Sequence, residues 1–412
     1  MDSITFLLIA GGTGAIGFYM AWSIGANDVA NSMATAVGAK AITFKQAVLI
    51  AGILNFVGAV FVGPHVAETI KGGIVKSDMI VDPHVLLLGF IASLLAAAFW
   101  ITLSTWKEMP ISTTHSIIGA LIGFGIIAGG FSSINWGKLG QVAASWIISP
   151  IAGCIIAFFV FKVIVKLIFA KEEPVKSAKI VGPLIIGVTA FLIASSLLLK
   201  TELSKILGVS ELSHVILIST SVSMVVIILG IFLLRNIEAK SVEDYATVEG
   251  IFRKLQIITS CYVAFSHGAN DVANAIAPVA AIVPLASGEM SLTAQIPPEL
   301  LALGGIGIAV GCLTWGKRVM KTVGGRITRL TNTRGFSVDF GAATTVLIAS
   351  KLGLPISTSH TVVGAVIGVG LARGLEAIDL SIIKKIIVSW LLTVPVAAAT
   401  SAAIFICLMV IV

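Results

Sequence analysis

The chain has 412 residues, 57% of them hydrophobic and 11% charged, with a mean hydropathy of +1.06. Soluble domains carry about 25% charged residues, so this composition excludes a water-soluble globule and leaves an integral membrane protein. The net charge of +7 does not point to a nucleic-acid partner, because basic residues in short loops set the orientation of membrane segments.

Residues 3–24 read as a retained first helix. The opening MDSITF has no Lys or Arg, so it lacks the basic start of a secretory signal and is expected on the outer side. The helix runs into GANDVAN at 25–31. If residues 27 onward are helical, Asn27, Asn31 and Thr35 share one face and Asp28 lies beside Asn31. Gly25 lets the backbone unwind or another helix come close. One carboxylate, two amides and a hydroxyl on one stripe suit a hard cation, since all are oxygen ligands.

Apolar runs at 84–104 and 116–131 flank PISTTH at 110–115, and together they predict a helical hairpin with that turn at its tip. Proline suits the first position of a helix. The residues after Pro110 would then offer free N–H groups together with the hydroxyls of Ser112, Thr113 and Thr114, which is an anion site. Spans follow at 141–170, 180–199 and 214–234. Two stretches depart from membrane composition: KEEPVKSAK at 171–179 and the mixed-charge segment at 235–254.

GANDVAN then recurs at 268–274 and PISTSH follows at 355–360. Asp28 and Asp271 are 271 − 28 = 243 residues apart, and Pro110 and Pro355 are 355 − 110 = 245 apart. The likeness extends along 109–125 and 354–370. Residues 1–170 and 249–412 are therefore read as two repeats, with residues 171–248 as connecting helices and loop. An inverted relation between them is expected from the way duplicated transporters are built. Asn270, Asp271 and Asn274 repeat the cation stripe, with Pro278 in place of Thr35. Ser357, Thr358 and Ser359 repeat the anion turn. The basic loop 317–334 carries Lys317, Arg318, Lys321, Arg326, Arg329 and Arg334 and is expected in the cytoplasm. By length alone roughly ten to twelve segments span or half-span a bilayer, and no two-residue alternation of barrel type appears. The fold expected is an all-α polytopic membrane protein.

A carboxylate in the bilayer core costs about 2.5–3.5 kcal/mol on insertion scales. One such residue can be a helix cap or interhelical glue, but two at equivalent positions point to function. Asp339 is a third buried-looking carboxylate without an acidic counterpart in the first repeat. It is read equally as an additional ion ligand or a helix-terminal residue. His115, His267 and His360 read as hydrogen-bonded structural groups, because no zinc spacing is present. Cys154, Cys261, Cys312 and Cys407 form no CxxC and read as buried small hydrophobes.

A carboxylate repels an anion unless a cation lies between them or the anion offers a proton. Phosphate carries P–OH at neutral pH and sulfate does not, so Asp28 and Asp271 favour phosphate. Cation binding there would make anion entry favourable, which is obligate coupling. The expected activity is cation–phosphate symport. The asparagine-rich stripes favour sodium at Asn27, Asp28, Asn31, Asn270, Asp271 and Asn274. Phosphate is expected at Asp28, Ser112, Thr113, Thr114, Asp271, Ser357, Thr358 and Ser359. Three other readings stay open: a proton-coupled carrier of a neutral metal–phosphate complex, a membrane-embedded phosphohydrolase using Asp, Ser and His, and a passive channel. No cofactor beyond the coupling ion is expected, and the oligomeric state is open.

The stretches GANDVANSMATAVG and SHGANDVANAIAP, with PISTTH and PISTSH, resemble the duplicated signature of the inorganic phosphate transporter (PiT) family. The resemblance covers essentially the whole chain. It implies a helical carrier of about twelve spans with inverted repeats, moving phosphate inward across the cell membrane with sodium or protons. The family's binding residues carry over to Asn27, Asp28, Asn270, Asp271 and the hydroxyl clusters at 112–114 and 357–359. The short loop at 235–254 is similar to that of bacterial-type members.

Overall fold

The computed structural model describes residues 3–80, 82–199, 201–209, 211–238, 244–286, 296–320, 330–374 and 380–411. Among them every regular element is a helix, and the only bridge of strand type pairs Val75 with Ile134. The helices are α1 (Ser3–Gly38), α2 (Phe44–Val62), α3 (Pro64–Gly73), α4 (Pro83–Trp106), α5 (Thr113–Gly129), α6 (Trp136–Ile164), α7 (Pro174–Leu198), α8 (Glu202–Ile206) and α9 (Leu212–Leu234). They continue as α10 (Asp244–Ala286), α11 (Pro298–Trp315), α12 (Asn332–Lys351), α13 (Thr358–Arg373) and α14 (Leu380–Ile411).

Local chemistry sets several of these starts. Thr43 and Gln46 close a capping box on α2. Asp82 accepts from the His84 N–H at 2.8 Å ahead of Pro83, the residue type that suits a first helical position. Asn135 caps α6 by accepting from the Lys138 N–H at 3.1 Å.

Eight helices among the described residues are long and apolar enough to cross a membrane: α2, α4, α6, α7, α9, α10, α11 and α14, with α5 as a shorter apolar helix. The apolar runs expected at 84–104 and 116–131 are the arms α4 and α5 of a hairpin, and α12 and α13 form its counterpart. The connecting segment holds α7 and α9, which pack against each other, with the short α8 between them. Residues 321–329 of the basic loop lie outside the described residues.

Helices α1 and α10 lie side by side at the centre, so the two GANDVAN segments face each other. Around them the packing is exchanged between the two halves of the chain. Helix α1 packs on α11 and α10 on α2; likewise α5 packs on α14 and α13 on α6. Glycines make these close approaches possible, two of them the first residues of the GANDVAN segments. A Cβ on Gly25 would strike the Ile308 backbone of α11, and a Cβ on Gly268 would strike the Asn55 backbone of α2. Small residues let membrane helices approach in this way. Of the two roles open to Gly25, the structure selects the close approach, since α1 runs unbroken from Ser3 to Gly38.

One local expectation is corrected. Pro110 does not start α5, and Pro355 does not start α13. Each helix begins at a threonine whose preceding serine is the N-cap: Ser112 Oγ accepts from the His115 N–H at 3.2 Å, and Ser357 Oγ from the His360 N–H at 3.3 Å. A serine oxygen can satisfy one orphan N–H of the first turn, which proline cannot do, so the start shifts three residues past the proline.

Candidate ion and anion site

The two signatures meet in one buried cluster. Asp28 is 1% exposed and Asp271 0%. Thr113 Oγ1, in the first turn of α5, donates to Asp28 Oδ2 at 2.9 Å. Thr358 Oγ1, in the first turn of α13, donates to Asp271 Oδ2 at 3.0 Å. Each carboxylate thus accepts from the turn that follows it in its own half of the chain.

The amides do the opposite. Asn31 Nδ2 donates to Asp28 Oδ1 at 3.0 Å and to Ser359 Oγ at 2.8 Å, with Thr358 Oγ1 at 3.5 Å. Asn274 Nδ2 donates to Thr114 Oγ1 at 3.2 Å, with Thr113 Oγ1 at 3.5 Å. The tips also grip each other: Thr114 Oγ1 donates to the Ile356 carbonyl at 2.9 Å, and Ser359 Oγ to the Ile111 carbonyl at 3.1 Å. The N-termini of α5 and α13 therefore converge beside the two aspartates. Six of the expected hydroxyl residues, Ser112, Thr113, Thr114, Ser357, Thr358 and Ser359, are all buried here.

Asn27 and Asn270 hold the hairpin tips. Asn27 Nδ2 donates to Thr105 Oγ1 at 2.9 Å and to the Met109 carbonyl at 3.2 Å, while its Oδ1 accepts from the Ile111 N–H at 3.3 Å. Asn270 Nδ2 donates to Ser350 Oγ at 3.1 Å and to the Leu354 carbonyl at 3.3 Å. The two copies then differ in one respect. Three buried oxygens on α10, Asn270 Oδ1, Asp271 Oδ1 and Asn274 Oδ1, have no hydrogen-bond donor among the described residues. On α1, both oxygens of Asp28 and the Oδ1 of Asn27 are engaged. Orphaned buried acceptors are costly, and a cation satisfies them as well as a donor does.

His267, expected to be a structural group, lies at the centre of the cluster. Its Nε2 is 2.7 Å from Asp271 Oδ2 and 3.7 Å from Asp28 Oδ2. Ligand atoms of Asp28, His267 and Asp271 all fall within 4.8 Å of one another, which is close enough to hold a metal ion. The ring is oriented by its Nδ1 contact with Asn55 Oδ1, and the Asn55 Nδ2 donates to the Ala51 carbonyl at 2.7 Å. The duplication conceals this residue, because its counterpart before the first GAND is Ile24. His115 and His360 instead meet each other, ring centroids 4.4 Å apart, and pack against Trp146 at 3.8 Å and Trp390 at 3.5 Å.

Asp339 is well inside α12, not at its end. Its Oδ1 accepts from Thr35 Oγ1 at 2.7 Å and its Oδ2 from Ser260 Oγ at 2.6 Å. Thr35 continues the Asn27–Asn31 face of α1, so this third carboxylate is joined to the stripe at one remove. A cavity of about 30 Å³, bordered by Asn31, Thr35, Ser359, Leu330 and Trp390, lies along the same face. It has room for a water-sized guest.

Residues 24–401 match the model of the phosphate transporter family. A protein of Thermococcus kodakarensis named as a phosphate permease is 54% identical over 397 residues, covering 96% of this chain and 97% of that one. The protein of Arabidopsis thaliana named inorganic phosphate transporter 2-1, chloroplastic, is 41% identical over 418 residues, covering 95% of this chain and 70% of that one. A solved structure titled the sodium-dependent phosphate transporter superposes with a TM-score of 0.92 at 49% identity, covering 99% of this chain and 100% of that one.

Proposed function

We propose, from the premise that this chain belongs to the phosphate transporter family, that it imports inorganic phosphate across the cell membrane by symport with sodium. As a member of that family it is a multi-pass membrane transporter and not an enzyme. Sodium is supported by the solved relative's printed dependence on that ion. It is supported independently by the three donorless oxygens of Asn270, Asp271 and Asn274.

Phosphate would lie between the opposed first turns of α5 and α13. Their hydroxyls now point at Asp28, Asp271 and the facing carbonyls. Binding exchanges those internal acceptors for phosphate oxygens, and sodium takes over the carboxylates that the threonines release. Neither exchange is favourable alone: an uncompensated carboxylate repels the anion, and a cation without the anion leaves the turn donors unpaired. The cluster residues are buried, which supports alternating access, a cycle in which the hairpins move to open the site to one side of the membrane and then to the other. We take residues 1–170 and 249–412 as the two repeats. Among the described residues five long helices, α6, α7, α9, α10 and α11, lie between the two hairpins; with one crossing each, that odd number supports inversion. Asp339 with Thr35 and Ser260 supports an additional cation site.

The test is phosphate uptake into proteoliposomes under a sodium gradient, a proton gradient or neither. Uptake that follows sodium supports the reading; uptake driven by a proton gradient without sodium overturns it.

A further inference from the structure

We infer that a basic cleft at the tip of the second hairpin is a docking site where inorganic phosphate is captured before it reaches the buried cluster. This rests on the phosphate reading above. The cleft has a volume of about 530 Å³ and is bordered by His65, Glu68, Thr69, Lys138, Lys351 and Gly353. Two ammonium groups and an imidazole face one carboxylate there, so the mouth attracts an oxyanion.

The two lysines are built into the cleft wall. Lys351 Nζ donates to the Leu199 carbonyl at 2.6 Å and lies 3.4 Å from His65 Nε2, which leaves further N–H capacity on an ammonium that has three donors. The stem of Lys138 lies along α3: a Cβ on Gly73 would sit 3.5 Å from Lys138 Cγ and 3.6 Å from its Cε. The Lys138 ammonium has no hydrogen bond or ion pair with a described residue, so its full charge is available to a ligand.

The position is as informative as the charge. Thr69 Oγ1 donates to the Gly353 carbonyl at 2.7 Å, so the floor of the cleft is the hairpin tip itself. Only Leu354, Pro355 and Ile356 separate Gly353 from Ser357, the cap of the anion-binding turn. The first hairpin repeats the arrangement. Glu108 is equivalent to Gly353 (353 − 108 = 245), and both have positive φ, 58° and 67°. Glu108 borders a cleft of about 380 Å³ with Lys317 and Arg318. Each tip thus carries a basic mouth. A net excess of one sign of charge in a cleft concentrates oppositely charged ligands and raises on-rates, an effect that falls with ionic strength.

Lys138 and Lys351 present the same chemistry to a free phosphate and to an anionic lipid headgroup; we commit to free phosphate. The experiment measures phosphate uptake against phosphate concentration at fixed sodium, in zwitterionic vesicles and in vesicles with added anionic lipid. Lys138→Gln is expected to raise the KM about three- to tenfold, below the roughly ten- to thousandfold of a fully charged cleft because only one charge is removed, with Vmax unchanged. Lys138→Arg should restore the wild-type KM. Added choline chloride should raise the wild-type KM more steeply than that of Lys138→Gln, which keeps only the Lys351 ammonium in the cleft. A wild-type KM and salt response in Lys138→Gln overturns the docking site. A difference that appears only with anionic lipid overturns it in favour of a headgroup site. Failure of the phosphate reading itself would look different: the wild type would not take up phosphate in any vesicle. A Lys138→Gln variant with lowered Vmax and unaltered KM would assign the residue to the fold and also count against docking.

Discussion

The Asn31 amide donates to Ser359 Oγ at 2.8 Å, joining residues 328 positions apart. Asn274 makes the mirrored contact with Thr114 Oγ1 at 3.2 Å. The aspartates bind the turns of their own halves and the asparagines bind the turns of the other, so each hairpin tip is tied to both central helices. Movement of either hairpin must break one bond of each kind.

Asn31→Ala tests that tie. It removes donations to Asp28, Thr358 and Ser359 at once. Without Asn31 the Thr358 and Ser359 hydroxyls lose the donor that leaves their own O–H free to turn toward an anion, so phosphate affinity should fall, by tenfold for each loss of about 1.4 kcal/mol. Calorimetric titration with phosphate at saturating sodium reads this directly. An unchanged Kd would remove Asn31 from the site.

Asp28→Asn and Asp271→Asn should differ. The donorless oxygens cluster on α10, whereas Asp28 has both oxygens occupied by Asn31 and Thr113. Half-saturating sodium, measured at fixed phosphate, should therefore rise further in Asp271→Asn than in Asp28→Asn. The reverse order would place the cation against α1 instead.

Much of this candidate site is legible in the sequence because the chain states it twice. The identical GANDVAN copies and matched turns pick out Asp28, Asp271 and the six hydroxyl residues, and the apolar runs around Pro110 give the hairpin to within a few residues. What duplication hides is whatever breaks it. His267 stands against Ile24, so the comparison of copies gives it no weight, yet it contacts the Asp271 carboxylate and lies within 3.7 Å of that of Asp28. Nor can identical copies reveal which asparagine bonds which turn; that choice is fixed by the exchanged packing of α5 on α14 and α13 on α6. The helix starts were missed by three residues because a proline is conspicuous and a capping serine is not.

Gly25→Ala and Gly268→Ala should act on the fold before they act on transport. Each new methyl meets backbone, of Ile308 and of Asn55 respectively, and backbone on a packed helix cannot swing aside as a side chain can. Overpacking of this kind costs about 1–3 kcal/mol. The expected result is a lowered thermal midpoint in detergent for both variants. Gly268→Ala should also weaken phosphate binding, because pushing α2 away moves Asn55, which orients His267. A Gly268→Ala protein with wild-type melting and wild-type binding would contradict the close approach.

Asp339→Asn separates charge from packing at the remaining carboxylate. Thr35 and Ser260 both donate to it now, at 2.7 and 2.6 Å. An amide keeps one acceptor and offers a donor on the other side, and a hydroxyl can reverse its role to accept it. The substitution should therefore leave the helices in place while removing the negative charge that would hold a cation. The expected outcome is a higher half-saturating sodium concentration with an unchanged phosphate KM once sodium is saturating. Thr35→Val should shift the sodium curve in the same direction but less, because it removes one oxygen and leaves the carboxylate. If Asp339→Asn instead raises the phosphate KM at saturating sodium and leaves the sodium curve alone, the residue acts on the anion through Thr35 and the α1 stripe, and the additional cation site is lost.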